Sequence, residues 1–128
     1  MRLLLDTQII LWALTGSNRL GALARGLIAD PANEVHVSTA SIWEISIKHA
    51  LVRGNMPISG TRAAELCAQA GYKELPVTWR HAALVDTLPP LHGDPFDRIL
   101  VAQAAAEPLR LLSRDATVVS YGAMVMAV

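Results

Sequence analysis

Only one cysteine, Cys67, occurs among the 128 residues. An internal disulfide and a cysteine zinc cluster are therefore both excluded, and a reducing compartment is implied. Charge is scarce: 17% of residues are charged, and 11 basic side chains balance 11 acidic ones. That neutrality argues against a dedicated DNA-binding domain, which is normally basic. It leaves room for an RNA-cutting enzyme in which metal ions supply the positive charge at the scissile phosphate. No apolar run is long enough to span a bilayer, because Asp6, Thr7 and Gln8 interrupt the stretch from Leu3 to Leu14. Neither a signal peptide nor a membrane span is expected, and the expected location is cytoplasmic. A P-loop, a dinucleotide glycine fingerprint and a serine elbow are also missing, so nucleotide hydrolysis, hydride transfer and triad chemistry have no support.

What the chain has in quantity is apolar surface, 52% of residues. That composition fits one domain over residues 1–128, with elements covered on both faces. Leu3-Leu4-Leu5 reads as a short buried strand ending at Asp6, because it is apolar without alternation. A helix from Gln8 to Leu14 follows, closed by Gly16, and a second carries Leu20, Leu23, Ala24, Leu27 and Ile28 up to Asp30-Pro31. Glu34–Val37 is the second strand. Ser38-Thr39 then caps a helix bearing Ile42, Ile45 and Leu51, stopped by Gly54 and Pro57. Thr61–Ala70 is helical, Lys73–Val77 makes an edge strand despite Pro76, and Thr78 starts a short helix. Asp94-Pro95 opens an apolar helix through Ala106. Leu109–Ser113 is the fourth strand, and the tail from Ala123 to Val128 is a candidate fifth. This alternation predicts an α/β fold with a central, mostly parallel sheet of four to five strands and helices on both faces.

In such a sheet, sites form beyond the carboxyl ends of the strands. Four acids fall there. Asp6 closes the first strand, Asp115 follows the fourth, Glu44 sits in the early turns of the helix after the second, and Asp97 lies in the first turn of the helix opened by Asp94-Pro95. Hard divalent cations such as Mg²⁺ take carboxylate, water and phosphate oxygens, and a bound ion supplies what phosphodiester hydrolysis needs: an activated water and charge stabilisation. Each acid also has an ordinary structural explanation. Asp6 caps the next helix, Asp115 starts a turn, Glu44 pairs with Lys48 at i+4, and Asp97 answers the helix dipole. Convergence of all four at one edge is what favours a metal site.

Around them, Asp94 reads first as an N-cap and second as a supporting acceptor, and Arg98 as a carboxylate or phosphate contact or a solvated helix residue. Thr7 and Ser113 are hydroxyls suited to supporting hydrogen bonds or to capping. His36, His49, His81 and His92 form no metal-binding doublet; His92 alone falls near the site, and a structural role is expected for it. Trp12, Trp43 and Trp79 read as core or interface rather than base-stacking platforms. Two other classes compete: a metal-dependent phosphatase on a similar sheet, and a non-enzymatic module whose acids bind a basic partner. The dehalogenase-type phosphatase wants a second aspartate where Gln8 stands, and the paired acids and late lysine of a receiver domain are not visible.

Leu3-Leu4-Leu5-Asp6-Thr7, Ser41-Ile42-Trp43-Glu44-Ile45 with Lys48, His92-Gly93-Asp94-Pro95-Phe96-Asp97-Arg98 with Ala102-Gln103-Ala104, and Ser113-Arg114-Asp115 together resemble the PIN-domain toxins called VapC. The matches come in order and span nearly the whole chain, the Asp-Pro-Phe-Asp-Arg segment being the most specific. The resemblance implies a three-layer α/β/α PIN fold and Mg²⁺- or Mn²⁺-dependent endoribonuclease activity. It also implies a homodimer and neutralisation by a VapB-type antitoxin. It maps the acidic site to Asp6, Glu44, Asp97 and Asp115. Gln8 stands where many relatives have histidine, and Ser113 where threonine is usual; neither departure removes an acid.

Overall fold

Leu3, Leu4 and Leu5 are wholly buried at the centre of the sheet, and their alternating side chains feed two separate cores. In the computed structural model, which describes residues 1–51 and 56–128, they form β1 (Arg2–Leu5). Leu3 and Leu5 face one layer and Leu4 the opposite one. The other strands are β2 (Glu34–Ser38), β3 (Lys73–Leu75), β4 (Arg110–Ser113) and β5 (Val125–Ala127). Their order across the sheet is β3-β2-β1-β4-β5, and every pairing is parallel. The expected mostly parallel sheet is thus entirely parallel, with five strands.

Helices α1 (Thr7–Thr15) and α2 (Ala22–Ala29) cover one face, where Ile9, Ile10, Leu20 and Ala24 pack on Leu3, Leu5, Val35, Val37 and Leu112. Helices α6 (Pro95–Ala106) and α7 (Ala116–Val119) cover the other, where Leu100, Val101, Ala104 and Val118 meet Leu4, Leu111 and Val125. A smaller cluster of Leu11, Ile45, Met56 and Ala63 joins α1 to α3 (Thr39–Leu51) and α4 (Gly60–Gln69). Between β3 and α6 lies α5 (Trp79–Leu84), with Thr78 as its N-cap. The result is the expected three-layer α/β/α arrangement.

Departures from the expected elements have local causes. Strand β3 stops at Leu75, because Pro76 has no N–H to donate to a ladder. Helix α7 was not expected at all; it is one turn, started by Asp115, whose carboxylate accepts the Thr117 N–H at 2.8 Å. Gly16 ends α1 in the left-handed conformation at φ 63°, as its place after the helix implied. Gly54 lies outside the described residues. Of the core and interface alternatives, exposure excludes the core for two tryptophans: Trp79 is 95% and Trp43 63% exposed. Trp12 alone packs, partly buried, against the α1/α2 core. No described helix is long and apolar enough to cross a membrane.

Candidate metal-binding active site

Strand β1 lies between β2 and β4, the point where the chain winds outward in both directions, and parallel sheets open a crevice there at the carboxyl ends of their strands. A cleft of about 410 Å³ occupies that position, and Asp6, Glu44, Asp97 and Asp115 all line it, together with Asp94, Lys48, Arg114 and Gln8. Four elements far apart in sequence thus deliver the four acids to one space: the end of β1, helix α3, the first turn of α6 and the turn after β4.

Each side chain is held by something identifiable. Asp6, only 6% exposed, accepts the Ile9 N–H through Oδ1 at 2.9 Å and so caps α1. One oxygen is thereby tied while the carboxylate still fronts the cleft. Glu44, also buried, accepts the Thr7 hydroxyl on Oε1 at 2.7 Å and the Lys48 ammonium on Oε2 at 2.5 Å. The Ser41 hydroxyl, 3.1 Å from Thr7 Oγ1, completes that network. Asp94 is the N-cap of α6, its Oδ1 accepting the N–H groups of Phe96 and Asp97 at 2.8 and 3.3 Å. Ser113, fully buried, accepts the Asp115 N–H on its hydroxyl at 3.1 Å and fixes the turn that presents Asp115. The structural explanations for Asp6, Glu44, Asp94 and Asp115 therefore hold alongside their convergence; capping fixes the carboxylates in place and uses one oxygen of each capping aspartate.

Concentrating like charges in a partly dry space has the expected electrostatic result. Burial, aided by the neighbouring charges of Asp94, Asp6 and Glu44, pushes the Asp97 carboxyl up to about 6, against the opposing influence of His92. Asp6 is also raised, first by burial and then by Asp115 and Glu44, with Ser113 and the Ile9 N–H working against the shift. Lys48 is raised by its bond to Glu44. A divalent cation fits this donor set: hard carboxylate oxygens from four elements, two of the groups resisting ionisation without a nearby positive charge.

Three placements differ from the sequence reading or were absent from it. Arg98 does not line the cleft; its guanidinium donates to the backbone oxygens of Pro89 and Val85 at 3.1 Å each and to the Tyr121 hydroxyl at 3.0 Å, tying down the segment before α6. Arg114 does line it, with its guanidinium 5.3 Å above the Trp12 ring and donating to the Arg19 backbone oxygen at 2.8 Å. Its place next to Asp115 was the only available signal. His92, expected to be structural, brings Nε2 to 2.9 Å from Asp97 Oδ2 and 3.5 Å from Asp115 Oδ2. Loop geometry after Pro90 decides that position, and no residue spacing encodes it.

Known proteins of the same shape carry the comparison further. The fold matches a chain of VapBC2 from Rickettsia felis, solved bound to a DNA fragment from its promoter, with a TM-score of 0.69 at 12% identity over 99% of this chain and 97% of that one. A chain of a toxin-antitoxin complex from Klebsiella pneumoniae matches at 0.67 with 18% identity over 96% and 94%. One from FitAcB of Neisseria gonorrhoeae matches at 0.63 with 23% identity over 98% and 95%. No curated protein sequence matches the chain. The PIN domain pattern, by contrast, runs through residues 3–122, from the strand that ends in Asp6 to beyond the turn that holds Asp115. With that coverage, and with the parallel sheet and acidic cleft in place, the chain belongs to the PIN domain family, whose members are generally metal-dependent nucleases.

Proposed function

We propose that this chain is an endoribonuclease toxin of a toxin-antitoxin pair, hydrolysing RNA phosphodiester bonds in the cytoplasm with Mg²⁺ or Mn²⁺ held by its carboxylates. The observation that carries the reading is the convergence of Asp6, Glu44, Asp97 and Asp115 on one cleft at the open edge of the sheet. Asp6 and Asp97 hold the principal ion. Asp115 would complete the ligand set, and Glu44, whose two oxygens are engaged by Thr7 and Lys48, would align the attacking water. When bound, the metal lowers the pKa of that water and offsets the charge growing on the phosphoryl oxygens. Lys48 and Arg114 face the same space and meet phosphate oxygens of the bound strand, which a neutral protein needs at this one place. Thr7, Ser113 and Asp94 keep the carboxylates in register through the hydrogen bonds described above, and Arg98 does so indirectly by anchoring the segment before α6.

A VapB-type antitoxin is the proposed partner. It lays an amphipathic segment along an apolar groove and points a basic side chain at the acidic cleft, where four carboxylates form a ready counter-charge. The solved matches support this, since they come from toxin-antitoxin complexes. The chain also pairs with a second copy. Support for that comes from the apolar surface formed by Trp43, Val77, Phe96 and Ile99, with Trp43 standing edge-on to Phe96 at 5.4 Å, which a monomer leaves in water. Purified protein should cut RNA with Mg²⁺ or Mn²⁺ and stop with EDTA; absence of metal-dependent cleavage on total RNA would overturn the ribonuclease reading.

A further inference from the structure

The loop of Leu88 to Gly93 leads into α6 and places one imidazole against Asp97 and Asp115, two of the acids that line the cleft. His92 is anchored there on two sides. Its backbone N–H donates to the Tyr121 hydroxyl at 3.1 Å, and its Nδ1 accepts the Asp94 N–H at 3.3 Å. These contacts turn the other ring nitrogen, Nε2, toward Asp97 and Asp115. That atom is sealed from solvent and makes no hydrogen bond among the described residues, although Asp97 Oδ2 lies 2.9 Å and Asp115 Oδ2 3.5 Å away. Both oxygens are close, yet neither sits where an Nε2–H would point. A buried ring nitrogen left in that state is unfavourable and calls for a partner.

The spacing identifies one. Ligand atoms bound to a common ion at about 2.1 Å lie about 3.0 Å apart at right angles and about 3.4 Å apart at tetrahedral angles. The ring nitrogen lies 2.9 and 3.5 Å from the two carboxylate oxygens, close to the two ends of that range. Among the described residues, His92, Asp97 and Asp115 are also the one group of three or more potential ligands whose donor atoms lie within 4.8 Å of one another.

We infer that His92 is a nitrogen ligand to the metal of this site, sharing it with Asp97 and Asp115 and biasing the site toward Mn²⁺ or another first-row transition ion over Mg²⁺. This rests on the metal-dependent reading above and adds a ligand to it. Imidazole is a poor donor for Mg²⁺ and a better one along the first transition row, least for Mn²⁺ and more for the later ions, so one nitrogen among oxygens shifts the preference away from Mg²⁺. Coordination uses the Nε2 lone pair; the ring proton then resides on Nδ1, and the long bond from the Asp94 N–H is given up.

The test needs no mutation at first. Mn²⁺ bound to the full chain is examined by pulsed electron paramagnetic resonance, with histidine at natural abundance and with ¹⁵N-labelled histidine. A histidine nitrogen coupling that changes with the label is expected, and His92→Asn should abolish it while the variant keeps its circular dichroism spectrum. Calorimetry should show Mn²⁺ affinity falling by about tenfold or more in the variant, with Mg²⁺ affinity changed by less than about threefold. Metal-dependent cleavage by wild type with no nitrogen coupling, or a coupling that survives His92→Asn, overturns the ligand assignment and leaves the nuclease intact. Failure of wild type to bind Mn²⁺ at all overturns both.

Discussion

Replacing Asp97 with asparagine separates a metal ligand from a merely structural acid, because the two roles predict opposite changes. In the metal-free protein the Asp97 carboxyl is raised from 3.8 to about 6, chiefly by burial. At 1.36 kcal/mol per pH unit the difference corresponds to about 3 kcal/mol held against the fold once the group ionises. The side chain is 21% exposed, and solvent screening brings that to about 1–2 kcal/mol. Since the folded-state value of an acid is raised, the penalty is absent below the unfolded value near pH 4, grows as pH climbs, and is complete above about pH 6. An asparagine amide in its place never ionises. Against the gain stands the lost interaction of a first-turn carboxylate with the α6 dipole, about 0.5 kcal/mol. No cap is lost, because Asp94 performs that role. The metal-free variant should therefore be more stable than wild type by about 0.5–1.5 kcal/mol at pH 8, and the advantage should vanish near pH 4. For 128 residues at about 2.1 cal/mol/K each, 1 kcal/mol moves the melting temperature by about 4 °C. Wild type should gain about 2.7 kcal/mol, or about 10 °C, from Mn²⁺ at a hundredfold excess over Kd, and the variant should lose most of that gain. Thermal melts of both proteins with EDTA and with Mn²⁺ decide the matter. Equal losses of stability in both conditions would refute the placement of Asp97 on the metal.

Asp6→Asn retains an oxygen to accept the Ile9 N–H, so the circular dichroism spectrum should be unchanged while RNA cleavage falls by orders of magnitude; near-normal cleavage would remove Asp6 from the metal. Thr7→Val takes away the hydroxyl that donates to Glu44 and leaves a buried carboxylate short of a partner. Chemical denaturation should show a loss of about 1–3 kcal/mol, and an unchanged midpoint would mean Thr7 contributes only shape. Gly60 begins α4 against α3, where an added Cβ would stand 1.7 Å from Ser46 Oγ and 3.3 Å from the Ile42 backbone oxygen. Gly60→Ala should thus cost about 1–3 kcal/mol in the same assay, an effect too small to measure being the contrary result. Trp43→Ser should shift sedimentation from dimer to monomer if the exposed Trp43 and Phe96 surface joins two copies.

Much of this was legible in the chain because local rules act on short stretches. An unbroken Leu3-Leu4-Leu5 that stops at Asp6 reads as a short strand covered on both sides. Asp94-Pro95 opens a helix wherever it precedes an apolar repeat, and Gly16 closes one by taking a backbone conformation that other residues avoid. From those elements a parallel sheet followed, and with it the edge at which Asp6, Glu44, Asp97 and Asp115 had to gather. Tertiary structure alone decided the rest, because it depends on where loops and long side chains go. Arg98 has the same neighbours in sequence whether it faces a carboxylate or turns to Pro89 and Val85. Trp43 and Trp79 are large apolar side chains yet lie on the surface, since hydrophobicity says that a side chain prefers burial and not whether the fold has a place for it. The approach of His92 to Asp97 and Asp115 likewise comes from the path of a proline-containing loop anchored on Tyr121, a contact across 29 residues that no periodicity records.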